Sequence, residues 1–79
     1  MNIKERIGAR IKELRLQLEL TQEALAFKAE VDKTYFNEVE NAKRNIAVIN
    51  LEKIILALDV SVQDFFDSEL FTSKKRGKK

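Results

Sequence analysis

Between Thr21 and Asn45 the sequence TQEALAFKAEVDKTYFNEVENAKRN reads as two short helices joined by a tight bend. Thr21 is suited to cap the first, from Gln22 to about Ala29, and Asp32 to cap the second, from Lys33 to Glu40. Leu25, Ala26 and Ala29 give the first helix its inner face, and the small alanines permit a close crossing. Phe27 falls on the opposite side, where a polar residue is expected, and packing under a neighbouring loop is the preferred reading over a partner contact.

The second helix divides cleanly. At about 100° per residue, Tyr35, Phe36, Val39 and Glu40 share one arc, while Lys33, Thr34, Asn37 and Glu38 share the other. The apolar arc is the inner one, and Glu40 at its edge needs a partner there. Four polar side chains on a short helix ordinarily form a solvated face. Lys33 argues against that bland reading, because a cation in the first turn opposes the helix dipole by about 0.3–1 kcal/mol, a penalty that a nearby phosphate removes. A helix anchored by its apolar side and offering Lys, Thr and Asn outward suits the major groove of DNA.

Composition sets the surroundings of this segment. The 79 residues include no Pro and only two Gly, which favours an all-α fold with short turns. A chain of this length buries only about 60% of its unfolded surface, so self-association would help its stability. With neither His nor Cys, the commonest general base, nucleophile and zinc ligands are missing. No catalytic residue, metal or cofactor is expected, and the chain is not read as an enzyme. No apolar stretch is long enough to span a bilayer, and charges at Lys4, Glu5 and Arg6 replace the apolar core of a signal peptide, so a soluble, cytoplasmic protein without membrane partners is expected. The KKRGKK run at 74–79 holds five of the fifteen Lys and Arg, leaving ten against thirteen Asp and Glu in the rest. Nucleic-acid binding therefore has to follow from where the cations fall on the surface.

Three further helices complete the pattern. The first helix, about Asn2 to Leu18, carries Ile3, Ile7, Ile11, Leu14 and Leu18 as one stripe, and Gly8 within it implies a close approach of another backbone. After a polar loop from Asn41 to Asn45, a fourth helix from about Ala47 to Leu58 has Val48, Leu51, Ile54, Ile55 and Leu58 as its core stripe, with Ile49 and Leu56 outside it. Ser61 with Asp64 reads as a capping-box variant opening a fifth helix that carries Phe65, Phe66, Leu70 and Phe71. So many large apolar groups exceed what one small core absorbs. A homodimer interface of Ile49, Leu56, Phe66, Leu70 and Phe71 is preferred to a purely internal fit. Residues 1–71 are thus read as a DNA-binding and dimerisation domain, and 72–79 as a flexible basic tail.

The strings IKELR (11–15), LTQEALA (20–26), VDKTYFNEVE (31–40), KRN (43–45) and LEKIILALDVSVQDFF (51–66) together resemble the lambda-repressor and Cro type of helix-turn-helix, the XRE family. Within it, VDKTYFNEVENAKRN is most similar to the controller proteins of restriction-modification systems, small dimeric regulators of the nuclease gene and of their own. The resemblance implies a compact five-helix DNA-binding domain acting as a homodimer on a palindromic operator, with RNA polymerase as a further candidate partner. It implies that Gln22 contacts phosphate, and that Lys33, Thr34, Tyr35 and Asn37 face the groove. Glu38 shares their face and is suited to accept from a cytosine amino group. Lys43, Arg44 and Asn45 match the loop that holds the DNA backbone, and Arg15 and Glu40 match an ion pair joining the first helix to the recognition helix. The chain departs from the family at Glu30, where Gly is common, and at Ile46, where Pro is common. An alternative is an antitoxin-like module that masks a protein through Phe27, Phe65 and Phe71.

Overall fold

Asn2 starts the molecule's first helix by a reciprocal cap: its Oδ1 accepts from the Glu5 N–H, and its own N–H donates to Glu5 Oε1, both at 2.9 Å. The computed structural model describes residues 1–72. Five α-helices follow in order, α1 (Ile3–Gln17), α2 (Gln22–Ala29), α3 (Lys33–Glu40), α4 (Val48–Ala57) and α5 (Val62–Phe66), and then a 3-10 turn, Glu69–Phe71. The described residues contain no strand. The all-α reading and the limits of α2 and α3 are as the sequence indicates, while α1 and α4 each stop one residue short at either end.

The expected caps form where a side-chain oxygen precedes a helix. Thr21 Oγ1 accepts from the Ala24 N–H and Asp32 Oδ2 from the Tyr35 N–H, each at 3.0 Å. Ser61 Oγ accepts from the Asp64 N–H at 2.9 Å, which is the N-cap half of a capping box alone; the reciprocal half belongs to Asn2 and Glu5. Helix ends are closed by left-handed residues that are not glycine: Glu19, Glu30, Ala42 and Asp59 have φ of 58°, 60°, 61° and 63°. At the first three the chain reverses through a bond back across the last turn, Leu20 N–H to Arg15 O, Val31 N–H to Ala26 O and Lys43 N–H to Glu38 O, at 3.1, 3.0 and 2.8 Å. Glu30 therefore adopts the left-handed bend that its family position calls for, at a cost of about 1–2 kcal/mol relative to glycine.

Ile11, Leu25, Phe36, Ile54, Ile55, Leu58 and Phe65 are the large side chains fully enclosed by these helices. Gly8 lies where α1 meets the end of α3. A Cβ there would stand 2.5 Å from the Glu40 carbonyl oxygen and 2.9 Å from that of Val39, so the close approach implied by the sequence is real. Several apolar positions depart from expectation. Ile3 and Leu18 are exposed, because the stripe of α1 extends beyond the helices that cover it. Val48 is 80% exposed and not part of the core, since it begins α4 before any neighbour overlies that face. Phe27 is 86% exposed, so no loop packs over it.

The expected single fifth helix is broken. α5 ends at Phe66, and Leu70 and Phe71 belong to the separate 3-10 turn. The break lets the three phenylalanines converge: Phe66 meets Phe65 and Phe71 edge-on, with ring centroids 4.9 Å apart in both cases. Arg10 fastens this end to α1 by donating from Nε to the Phe65 carbonyl at 2.7 Å and from Nη2 to the Asp64 carbonyl at 2.8 Å. Those carbonyls lie at the open end of a five-residue helix, where a cation also complements the dipole. The basic tail assigned to 72–79 lies, from residue 73 onward, outside the described residues.

Candidate nucleic-acid interface

α3 presents the polar arc outward. Lys33, Thr34 and Asn37 are exposed and Glu38 is half-buried, while Phe36, Val39 and Glu40 are buried. Lys33 Nζ has only a loose contact, 3.8 Å, with the exposed Glu23 carboxylate, which leaves it available to an anion. Tyr35 is half-buried between the two arcs.

What holds this face is a buried polar chain. Arg15 and Glu40, each 8% exposed, form a two-point ion pair, Nε to Oε2 at 2.8 Å and Nη2 to Oε1 at 3.0 Å, and Arg15 Nη1 donates to the Leu20 carbonyl at 2.8 Å. Glu40 Oε1 also accepts from Gln22 Nε2 at 2.6 Å, and Gln22 Oε1 accepts from Asn37 Nδ2 at 2.9 Å. The sequence of contacts runs from α1 through α3 to α2 and back to the surface of α3. Gln22 is thus engaged at both ends of its amide. Asn37 uses one N–H of its amide in this chain of contacts, and its carbonyl oxygen takes no part in it.

The loop after α3 is fastened to the same helix. The Tyr35 hydroxyl accepts from the Ala47 N–H at 3.2 Å and from Asn50 Nδ2 at 3.3 Å, so it ties α3 to the start of α4, where Ala47 makes no side-chain cap. The Arg44 guanidinium lies over the Tyr35 ring, 5.2 Å from its centroid, and its Nε stands 2.9 Å from Glu38 Oε1. Lys43 and Asn45 are exposed beside it. Thr34, Tyr35 and Arg44 line one shallow depression, and Glu38 joins them through Arg44.

The five apolar residues suspected of dimer contact are not gathered into one patch. Ile49 and Leu56 are exposed on one flank of α4, Leu70 is half-buried beside Ala9 and Arg10 of α1, and Phe71 packs against the core. Phe66 instead lines an apolar groove of about 350 Å³ between α4 and α5, with Val48, Leu51, Ile55 and Val62. Sequence reasoning missed Val48 and Val62 as surface groups, because periodicity assigns a face but not whether another helix covers it. It also missed Asn50 and Arg10, whose contacts lie 15 and 55 residues away. For the antitoxin alternative, Phe65 is fully buried and unavailable to a partner.

Two capped helices in succession, the second held to α1 by a buried ion pair and carrying a polar outer face, define a helix-turn-helix protein. Comparison with known proteins agrees. The helix-turn-helix family HTH_3 matches residues 11–65. Control protein C.MunI of a Mycoplasma species is 39% identical over 66 residues, covering 82% of this chain and 89% of that one. Control protein C.BamHI of Bacillus amyloliquefaciens is 36% identical over 67 residues, covering 84% and 83%. The restriction-modification controller protein C.AhdI from Aeromonas hydrophila has a similar structure, with a TM-score of 0.76 at 36% identity over 80% of this chain and 96% of that one. The C.Esp1396I tetramer in complex with its natural 35 base-pair operator gives 0.79 at 36% identity over 84% and 87%. The chain belongs to the helix-turn-helix family and, within it, to the restriction-modification control proteins, which makes it a DNA-binding regulator.

Proposed function

We propose that this protein regulates transcription as a homodimer on a roughly palindromic operator, with its two α3 helices in successive major grooves about 34 Å apart. The observation that carries the reading is the exposed Lys33, Thr34 and Asn37 face on a helix whose inner side is locked by the Arg15–Glu40 pair. Lys33, Thr34 and Asn37 read base edges, with Tyr35 and Glu38 at the margin of the same face. Gln22, Lys43, Arg44 and Asn45 hold phosphates and supply the salt-sensitive part of the affinity. The similarity to a controller protein solved on its operator supports this arrangement.

The groove of Val48, Leu51, Ile55, Val62 and Phe66, flanked by exposed Ile49 and Leu56, is the apolar surface offered to the second copy. The protein acts by binding, without catalysis, in the cytoplasm, and RNA polymerase is its further partner where it activates. No helix among the described residues is long and apolar enough to cross a membrane. Footprinting on the DNA upstream of its own gene tests the proposal. Two protected half-sites with centres about 10 base pairs apart, or a multiple of one turn, are expected. Protection that appears only at concentrations coating the whole fragment, with no discrete half-sites below them, would reject it.

A further inference from the structure

Glu38 is the one acidic side chain on the outward arc of α3, where DNA phosphates would repel it. Its Oε1 is fully buried and receives no hydrogen bond. The nearest compensation is Arg44, whose Nε stands 2.9 Å away in a charge contact that lacks hydrogen-bond alignment. The same guanidinium rests on the Tyr35 ring, and the Tyr35 hydroxyl is itself fixed by Ala47 and Asn50. The loop is joined to the helix at the same place, through the Lys43 N–H and the Glu38 carbonyl. Nε and one face of the guanidinium are thereby occupied, while the Arg44 side chain as a whole remains 51% exposed.

We propose that Glu38 and Arg44 act as one unit in operator recognition: Glu38 positions Arg44, holding it by Nε with the amino edge turned outward, and Arg44 screens Glu38 from the phosphates. The inference rests on the DNA-binding reading above. Without Arg44, a bare carboxylate faces the duplex and repels every sequence. Without Glu38, the guanidinium keeps its charge but loses its fixed direction, so random DNA is still bound while preference for the operator falls.

The test is a double-mutant cycle on the full chain with Glu38→Gln, Arg44→Ala and both together. Each is titrated by fluorescence anisotropy against the upstream duplex of its own gene and a random-sequence duplex of equal length, at several salt concentrations. On random DNA, Glu38→Gln is expected to change affinity less than about threefold alone, but to improve it about tenfold in the Arg44→Ala background. On the upstream duplex, Glu38→Gln is expected to reduce the preference over random DNA about tenfold. Arg44→Lys keeps the charge without the planar fork, and is expected to lose more affinity for the upstream duplex than for random DNA, so that the preference falls. Equal Glu38→Gln factors in both backgrounds would overturn the coupling, and an undiminished preference in Arg44→Lys would overturn the positioning. A wild-type chain that itself shows no preference for the upstream duplex would instead overturn the DNA-regulator reading. Preference in the wild type together with an additive cycle would overturn this inference alone.

Discussion

Gly8 has no room for a methyl group. Its absent Cβ would press on two backbone carbonyls at the end of α3, and backbone gives way less readily than the tip of a side chain. Gly8→Ala is therefore expected to destabilise the fold by about 1–3 kcal/mol in urea denaturation, even though alanine is the better helix former. Glu30 is the opposite case. With φ at 60°, its side chain is strained where glycine would not be, and Glu30→Gly is expected to gain up to about 1 kcal/mol once the greater freedom of an unfolded glycine is counted. A loss of stability on that substitution would show that the carboxylate has a role beyond closing α2. Both positions stand out in the sequence, Gly8 as a glycine inside a helical stripe and Glu30 as a departure from its family. The contacts of Arg10 and Asn50 do not, because a charged or amide side chain on a helix carries no mark of which distant carbonyl or hydroxyl it will meet.

Among the elements, α2 and α3 were the most legible, since each begins with a side chain that can cap it, and α3 has its apolar and polar residues on separate arcs. The expected Arg15–Glu40 contact rests on family resemblance, and its need was visible in the placement of Glu40. The continuation through Gln22 to Asn37 was not visible, because it depends on how α2 and α3 cross. Glu40→Ala would leave Arg15 charged and buried, with only the Leu20 carbonyl as a hydrogen-bond partner. A loss of about 3–5 kcal/mol is expected, measured by denaturant melts. Operator affinity should fall further than the unfolded fraction explains, because Gln22 and Asn37 lose their support. At the C-terminal end, apolar content correctly indicated packing but not the break after Phe66. Phe71 meets Phe66 edge-on across the break after α5, and no spacing rule encodes that turn.

For the whole molecule, net charge is a poor guide, because acidic residues outnumber basic ones before the KKRGKK run. On the proposed reading, affinity for DNA comes from a local group of exposed cations, Lys33, Lys43 and Arg44. Lys43→Ala is accordingly expected to weaken binding to all duplexes alike and to reduce the salt slope by about one. Two operator half-sites require two copies, and the apolar groove between α4 and α5 is the surface proposed above for that contact. Val48→Asp combined with Val62→Asp, both on exposed positions at its rim, should shift the protein to monomer in sedimentation without unfolding it. Retention of the dimer would place the interface elsewhere, with Ile49 and Leu56 next in line. The face of α4 that remains uncovered in one copy is a property of the assembled fold, which is why periodicity assigned Val48 to the core.

The outward face of α3 is tested most directly by titrating the wild-type chain and Asn37→Ala against the operator and against its complete set of single base-pair substitutions. The wild type is expected to lose about 1–3 kcal/mol at each contacted base pair. Asn37→Ala should bind the intact operator more weakly by a similar amount and become indifferent to substitution at one symmetric pair of positions. An Asn37→Ala profile parallel to that of the wild type at every position would contradict base reading by this helix face.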